Sequence, residues 1–325
     1  MAPRLETTPW DNKPVSRPGM YSKIPLDGSK GYHTQFVCEG PSVSSSGLRT
    51  LFNESPKHFY ATWSGNPQRK ERKDARHFIL GRAVHHLILG EPYFAKLFCV
   101  QPARVLIPEE GWKPWNNIRP KCKEWHAQQR KAGRTVLLQS EVVSIKGMAR
   151  EICAHPFYQH GLLKGLIERS LIWKDKETGI WLKWRPDVIP RDSADFADLK
   201  TTTSVLIPDL MRTIDELGYF QQAALGRWAC REVLGMDMAS FTYLFVEKTE
   251  PYAVRDIRLE PEDLERGENA NRAALELLAR CLERGEWPGP GAGNEGNDRV
   301  RLSDRAREAI DNRLHAMDPA RYERA

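Results

Sequence analysis

Three short stretches near the middle of the chain are rich in β-branched and aromatic residues and are separated by turn-forming residues. They span residues 167–174, 180–189 and 194–201. Runs of this length and composition are typical of β-strands, because branched and aromatic side chains pack well on a pleated surface. We therefore predict three consecutive strands that form a sheet.

Further elements precede and follow these strands. The run from Pro41 to Trp63 predicts two short helices, the first capped by its serines and the second beginning at Ser55-Pro56. Periodic apolar positions predict helices at 77–89, 118–132, 140–154, 219–234 and 260–285, and strands near Phe98, at 240–247 and at 252–258. The helix at 77–89 is apolar nearly all round, which is typical of a buried helix. A loop rich in Pro and Trp is expected after Phe98 as far as residue 117.

The two ends of the chain have a different composition. Residues 1–40 are rich in Pro, Gly and polar groups and have little periodicity, so we expect an extended or partly disordered N-terminal arm. A Gly- and Pro-rich stretch at 287–298 predicts a linker. Residues 299–325 predict a helical C-terminal tail, which leaves 41–286 as the main domain.

The composition narrows the class of protein. The chain has 325 residues, of which 40% are hydrophobic and 28% charged, as in ordinary globular proteins. No stretch approaches the roughly 18 apolar residues of a membrane helix, and no secretory signal precedes the first helix, so we expect a cytoplasmic protein. The six cysteines are scattered without zinc-finger spacing and are expected to be reduced. A formal charge of +6 favours an anionic partner.

Two carboxylates and a lysine lie on neighbouring predicted strands. Asp187 is followed eleven residues later by Asp198, and Lys200 comes two residues after that. Side chains alternate along a strand, so Asp198 and Lys200 project to one face while Leu199 points away. If the strands pair as a hairpin, Asp187 lies beside them, and a divalent cation such as magnesium or manganese would offset the repulsion between the carboxylates. A salt-bridged ladder on a strand surface explains the same spacing.

Other polar residues could complete such a site. His85 lies inside the apolar helix, where its imidazole needs a metal, a backbone carbonyl or another partner. Glu168 begins the strand before Asp187 and is either a further carboxylate of the site or an exposed charge. Tyr219 and Gln222 share one helix face and could hydrogen-bond a phosphate or a water. A capping tyrosine and a buried glutamine would account for them equally well.

Several segments together resemble a known nuclease family. The segments lie in the family's order between about residues 30 and 290, and they read PSVSSSGLRTL, GRAVHHLIL, ERSLIWKDKETGIWLKWRPDVIP, DFADLKTTTS and YFQQAALG, ending with EWPG. In this combination the chain resembles the C-terminal nuclease domain of RecE-type exonuclease VIII. The resemblance implies an α/β (α+β) fold with a PD-(D/E)XK restriction-endonuclease-like core, a central mixed β-sheet flanked by helices.

The resemblance also implies an activity and a set of residues. It implies Mg²⁺-dependent removal of the 5′ strand from double-stranded DNA ends, with Mn²⁺ as a substitute, leaving a 3′ tail for a single-strand annealing protein. The implied metal ligands are His85, Asp187, Asp198 and the carbonyl of Leu199. Lys200, Asp187, Asp198 and Glu168 are the implied catalytic residues, and Gln222, Tyr219 and Arg185 the candidate substrate-binding residues.

Some expectations depart from the family or concern assembly. Gly226 stands where related sequences tend to carry Tyr, so we expect the end of that helix to contact DNA differently. No cysteine cluster lies near the C-terminus, so we expect no iron-sulfur cluster. By analogy the enzyme would be a ring-shaped homo-oligomer with no membrane contact. A nuclease of other polarity, an endonuclease, or a non-catalytic DNA-binding protein that retains the fold would be compatible with the same residues.

Overall fold

The computed structural model describes residues 5–26, 28–69, 76–90, 94–293, 296 and 299–316, and the structural statements that follow refer to them. The chain divides into two compact units, Met1–Trp287 and Pro288–Ala325. The boundary adjoins the predicted start of the linker at residue 287. The second unit contains one described helix, α11, which falls within the predicted tail; residues 317–325 lie outside the described part.

The helices and strands of the described residues are numbered in chain order. The strands are β1 Thr7–Pro9, β2 Gly19–Ser22, β3 Ser42–Ser44, β4 Phe98–Val100, β5 Arg104–Ile107, β6 Gly111–Pro114, β7 Thr135–Leu137, β8 Leu166–Ile167, β9 Ser170–Lys174, β10 Trp181–Trp184, β11 Val188–Ile189, β12 Asp195–Thr202, β13 Ser240–Glu247 and β14 Val254–Arg258. The helices are α1 Ser45–Asn53, α2 Pro56–Thr62, α3 Arg76–Ile88, α4 Phe94–Leu97, α5 Pro120–Lys131, α6 Gln139–Ala154, α7 Pro156–Gln159, α8 Ile207–Glu216, α9 Tyr219–Ala229, α10 Pro261–Arg284 and α11 Asp304–Ala316. The α/β class expected from the sequence is confirmed, and the predicted helices lie close to their expected bounds.

A mixed five-stranded sheet has the order β1-β2-β9-β10-β3. The inner pairs β2–β9 and β9–β10 are antiparallel, whereas the outer pairs β1–β2 and β10–β3 are parallel. All four residues of β10 are buried, because one face packs against the main core and the other is covered by the N-terminal segment. A strand buried along its whole length is typical of a sheet covered on both faces, and the one charged residue of β10, Lys183, is buried with it.

A second sheet carries the residues of interest and has the order β12-β13-β14. Strands β12 and β13 are parallel, with Asp198 opposite Tyr243 and Lys200 opposite Phe245. Because parallel neighbours need a long crossover, the chain passes through α8 and α9 between them. Helix α9 is held from behind by α10, whose Asn271 Nδ2 donates to the Gln221 carbonyl at 2.8 Å.

The prediction that three consecutive strands form one sheet is wrong. Strands β9 and β10 belong to the five-stranded sheet, β11 pairs with β8, and β12 pairs with β13. The chain leaves the first sheet after Trp184 because Pro186 has no N–H to extend the ladder. The Arg185 side chain holds this turn, since its Nε donates to Ser170 Oγ at 2.9 Å.

The N-terminal arm is more ordered than the sequence predicted. Within residues 5–26 and 28–40, β1 and β2 extend the five-stranded sheet, and Val15 forms a bridge with Cys38. Trp10 and Val37 are buried in a small core with Trp181 of β10. The apolar residues of this segment are irregularly spaced and find their partners more than 130 residues away, so local periodicity could not reveal the packing. Residues 1–4 and 27 of the predicted arm lie outside the described part.

Among the described residues, none of the helices is long and apolar enough to cross a lipid bilayer.

Candidate active site

Five of the predicted site residues come together where β12 meets α3 and α9. Strand β12 supplies Asp198 and Lys200, the turn before β11 supplies Asp187, α3 supplies His85 and α9 supplies Gln222. We call this group the carboxylate corner. Asp187 and Asp198 are 8% and 2% exposed, so both carboxylates have lost most of their hydration. Buried carboxylates of this kind persist only when other groups supply hydrogen bonds or positive charge.

Asp187 is held from two directions. Its Oδ2 accepts a hydrogen bond from the Leu199 backbone N–H at 2.7 Å, which fixes the carboxylate beside β12 although the two segments do not pair as a hairpin. Its Oδ1 faces His85 Nδ1 at 3.4 Å. The sequence proposed the carbonyl of Leu199 as a ligand, and the structure shows that the N–H of the same residue positions Asp187.

Asp198 has a polar partner on each side. Its Oδ1 accepts a hydrogen bond from Gln222 Nε2 at 2.7 Å, and its Oδ2 forms an ion pair with the Lys200 ammonium. Gln222 therefore acts on the site through a carboxylate. Its neighbour Gln221 is the fully buried glutamine of the pair, and it packs against α10.

Two tyrosine rings flank the lysine of the corner. Lys200 Nζ lies 5.0 Å from the centre of the Tyr219 ring and 5.8 Å from that of Tyr243. The rings stack with centroids 5.2 Å apart, and the Tyr243 hydroxyl donates to the Tyr219 carbonyl at 2.7 Å. Aromatic faces attract an ammonium group, so these rings restrict where Lys200 can reach. Tyr243 was not singled out from the sequence, because an aromatic residue on a buried strand resembles ordinary core.

The charges in the corner set one another's ionisation. Burial lowers the pKa of His85, but the Asp187 carboxylate outweighs it and raises the pKa to about 9. Burial raises the pKa of Asp187, and His85 and Lys200 bring it below its usual value. The pKa of Asp198 is raised by burial and by the negative charge of Asp187. Burial lowers the pKa of Lys200, and Asp198 more than restores it. At neutral pH two cations thus face a pair of carboxylates that repel each other.

Glu168 and Arg185 lie near the N-terminal segment. Glu168 is in the turn between β8 and β9 with a positive φ of 53°, and its N–H donates to the Asp187 carbonyl at 3.1 Å. Its charge contributes to the raised pKa of Tyr32, so the carboxylate lies near the N-terminal segment. Arg185 donates to Ser170 and to the Ile24 carbonyl and stacks over the Tyr32 ring at 4.4 Å. In this geometry Arg185 ties the N-terminal segment to the first sheet.

Gly226 packs against the indole ring of Trp184. A Cβ added at this buried position would lie 2.5 Å from the Trp184 ring, a distance that real Cβ atoms do not reach. The end of α9 therefore packs directly against the Trp184 indole of β10. Because Gly226 is buried, the position offers no surface for the different DNA contact that the sequence led us to expect.

Arg49 is a candidate site residue that could not be recognised from the sequence. It lies on α1, its guanidinium is 5.9 Å from the Tyr219 ring centre, and its Nη1 donates to the Leu217 carbonyl. Its Nε is buried without a hydrogen bond. Gly218 lets the side chain pass, because a Cβ there would lie 2.9 Å from Arg49 Cδ and the backbone has a positive φ of 61°. The helix N-terminal serines drew attention in the sequence, whereas a lone arginine on an amphipathic helix carries no signal of its own.

The corner has the donor chemistry for a divalent cation. The charge of Asp187 raises the pKa of Asp198, and the buried Asp198 Oδ2 makes no hydrogen bond of ordinary geometry beside Lys200. A hard cation would offset the repulsion between the two carboxylates and would give Asp198 Oδ2 a further partner. In the described part of the chain, no three His, Cys, Asp or Glu side chains already converge as a coordination shell. Binding a cation here therefore calls for Lys200 or His85 to turn away from its carboxylate.

A family match accounts for this arrangement. The PDDEXK-like domain of unknown function (DUF3799) matches residues 44–295, a span that includes every residue of the carboxylate corner. The chain belongs to this family. The match supports the PD-(D/E)XK part of the resemblance and does not single out the RecE type. A comparison with curated proteins finds no match to the chain.

Two solved structures are similar to this chain at low sequence identity, and one of them shares its fold. A candidate exonuclease from Eubacterium rectale has a TM-score of 0.53 at 13% identity, over 81% of this chain and 90% of that chain. A phage-related exonuclease from Haemophilus somnus 129PT has a TM-score of 0.27 at 11% identity, over 44% of this chain and 74% of that chain. The first likeness establishes a shared fold, and the second is too distant to support an argument.

Proposed function

We propose that the chain is a metal-dependent nuclease that hydrolyses phosphodiester bonds in DNA. The observation that carries the proposal is the carboxylate corner itself. In a chain of the PDDEXK-like family, the buried Asp187 and Asp198 lie together with the partly exposed Lys200, and each is held by a specific partner. A purely structural ion pair does not need a second buried carboxylate, because two adjacent negative charges destabilise the fold.

The residues of the corner have distinct tasks in this proposal. A divalent cation, Mg²⁺ or Mn²⁺, would be held by Asp187, Asp198, His85 and the Leu199 carbonyl, and when bound it would polarise a phosphoryl oxygen and acidify a water. Lys200 orients the attacking water and offsets the charge that develops on the phosphate. Gln222 keeps Asp198 in place, and the Leu199 N–H does the same for Asp187.

The substrate and polarity rest on the resemblance to RecE-type exonuclease VIII. We propose that the enzyme removes nucleotides from the 5′ strand at double-stranded DNA ends and leaves a 3′ single-stranded tail. An annealing protein would then take up the tail, and a ring of subunits would keep the enzyme on the DNA. The candidate exonuclease that shares the fold is compatible with this activity.

Digestion of a labelled duplex tests the proposal. A linear duplex is labelled at its 5′ ends in one preparation and at its 3′ ends in another. Each is incubated with wild type or Lys200→Ala, in Mg²⁺ or in EDTA. We expect release of the 5′ label as mononucleotide in Mg²⁺ by the wild type alone.

Each other outcome selects a different function. Early loss of the 3′ label would reverse the polarity, and internal fragments would indicate an endonuclease. Absence of cleavage in Mg²⁺ and Mn²⁺, with binding to the duplex retained, would indicate a DNA-binding protein that has lost its chemistry. Cleavage by Lys200→Ala at the wild-type rate would show that the carboxylate corner is not the site of the reaction.

A further inference from the structure

A small module projects between β4 and β7 and is not used by the proposed chemistry. We call residues 101–134 the Trp module. It contains the hairpin β5–β6 and helix α5, where the sequence predicted only a Pro- and Trp-rich loop before the helix. The hairpin closes through a turn in which Glu109 and Gly111 have positive φ angles. A β-hairpin with so little core of its own is held in shape by α5, onto which Trp115 packs.

The module is attached beside the helix that carries His85. Its flanking strands β4 and β7 are parallel neighbours. From α3, Arg76 Nη1 donates to the Val136 carbonyl at 3.0 Å and Arg82 Nη2 donates to Thr135 Oγ1 at 3.4 Å. One helix therefore contacts both the carboxylate corner and the base of the Trp module.

The module contains an aromatic pocket. Its cavity volume is about 340 Å³, and its lining includes Leu106, Trp112, Trp115 and Trp125. Trp115 and Trp125 form the floor and pack edge to face with ring centroids 5.2 Å apart. Trp112 and Leu106 remain 60% and 55% exposed. An exposed indole over an apolar pocket of this size is unusual on a monomer surface and suits a flat apolar ligand.

The module also carries much of the basic charge of the chain. Residues 101–134 contain eight Lys or Arg and three Asp or Glu, in a chain whose formal charge is +6. Glu110 is shared between Lys113 and Arg119, and Glu124 pairs with Lys121. After these pairs are counted, the module keeps a net formal charge of +5, from eight basic and three acidic residues. In the described part of the chain, Lys123, Arg130 and Lys131 have no ion-pair partner.

We propose that the Trp module binds single-stranded nucleic acid. An unstacked base would lie against Trp112 in the pocket, and the phosphates would follow the basic residues of α5 and the hairpin. Stacking requires bases that are free of a duplex, and the positive charge favours a polyanion over an apolar protein partner. The inference deepens the proposed function, since the strand would be the tail that digestion leaves.

Binding of a labelled oligothymidylate to the full-length protein tests this inference. Fluorescence anisotropy is measured with a fluorescein-labelled dT oligomer in EDTA, so that binding is read without cleavage. We expect Trp112→Ala to weaken binding by about tenfold, a typical effect of removing a stacking residue. Trp112→Phe should retain most of the affinity. Lys123→Glu should weaken binding, whereas Lys176→Glu, on an exposed turn of the first sheet, should not.

The outcomes separate this inference from the proposed nuclease. Unchanged dT binding by Trp112→Ala would overturn the inference, and so would a loss that appears only with a duplex. Light scattering is run on the same samples. If Trp112→Ala changes the oligomeric mass, the pocket is a contact between subunits and the inference fails. If Trp112→Ala binds the dT oligomer more weakly than wild type while wild type leaves labelled duplexes intact, the inference about the Trp module is supported and only the nuclease proposal is contradicted.

Discussion

Two lysines with opposite surroundings distinguish the two sheets of this protein. Lys200 on β12 faces the Asp198 carboxylate, which raises its pKa in spite of burial. Lys183 on β10 is 2% exposed and donates to the carbonyls of Tyr32 and Thr34 at 2.7 and 3.0 Å. Burial lowers the pKa of Lys183 to about 8. Lys183 is inaccessible and Lys200 is largely enclosed, with 19% of its side chain exposed, yet in the described part of the chain only Lys200 has a countercharge.

The difference shows why burial of a charge does not identify a reactive site. Carbonyl oxygens satisfy the hydrogen bonds of Lys183 without cancelling its charge, so the residue fastens the N-terminal segment to the first sheet. Lys200 belongs to a set in which charges of both signs are held close together. A chemical role is therefore assigned to Lys200 and a structural role to Lys183.

The largest expected contrast is in cleavage by matched lysine variants. Lys200→Met should lower the cleavage rate by about 10³-fold, because it removes the ammonium that stabilises charge in the transition state. Lys183→Met should stay within a few-fold of wild type once its fold is verified by circular dichroism. Initial rates on an end-labelled duplex in Mg²⁺ give both values. Equal losses of cleavage rate in the two variants would show that the carboxylate partner of Lys200 does not distinguish it from Lys183 in the reaction.

Metal binding at the carboxylate corner should stabilise the folded protein. At about 100 times its dissociation constant, Mn²⁺ should add about 2.7 kcal/mol to the free energy of unfolding. A dye-monitored melt should show this as a shift of several degrees in wild type. Asp198→Asn should abolish the shift, and Asp263→Asn on the surface of α10 should retain it. A wild-type melt that does not respond to millimolar Mn²⁺ would contradict the assignment.

The lowered pKa of Lys183 predicts a pH dependence of stability. The folded pKa of about 8 lies below the unfolded value of 10.5, so the unfolded chain binds more protons between them. The cost of the buried charge is fully present below pH 8 and is relieved as the pH rises toward 10.5. Urea unfolding should show that wild type gains about 2 kcal/mol relative to Lys183→Met between pH 7 and 9.5. A difference that does not change with pH would mean that Lys183 has the same pKa in the folded and unfolded protein, as a hydrated lysine would.

The smallest expected effect concerns Arg49. Arg49→Met should lower the catalytic efficiency by about tenfold, because an arginine beside Tyr219 offers charge-assisted hydrogen bonds to a phosphate. Arg280→Met, at an exposed position on α10, is the matched control and should have no effect. Values of kcat/KM for a short duplex provide the measurement. If Arg49→Met behaves like the control, the arginine only braces α1 against α9.

The candidate site was more predictable than the sheet around it. The Asp198 and Lys200 pair follows from strand alternation, and His85 was recognised as a polar residue that needs a partner in an apolar helix. Asp187 was expected beside Asp198 through a hairpin, but its carboxylate is instead held by the backbone N–H of Leu199. Local spacing identifies which residue types lie together, but the pairing of strands depends on contacts between distant segments.

The N-terminal strands and the position of Arg49 could not be predicted for the same reason. Trp10 becomes a core residue only because Trp181 and Ile172 lie beneath it. Arg49 becomes a candidate only because Gly218 leaves room for its side chain next to Tyr219. Neither contact has a periodic signature in the sequence, because each joins segments that lie far apart along the chain.

The contact between Gly226 and Trp184 sets a rule for how related chains can vary. The indole fills the space that a side chain at 226 would need, so the two positions cannot both be large. A relative with Tyr at 226 is expected to carry a small residue at 184, and exchanging one position alone should cost more stability than exchanging both. We therefore expect the pair to be a compensating couple, in which the departure from the RecE-type pattern expected at position 226 is balanced by a tryptophan on the first sheet.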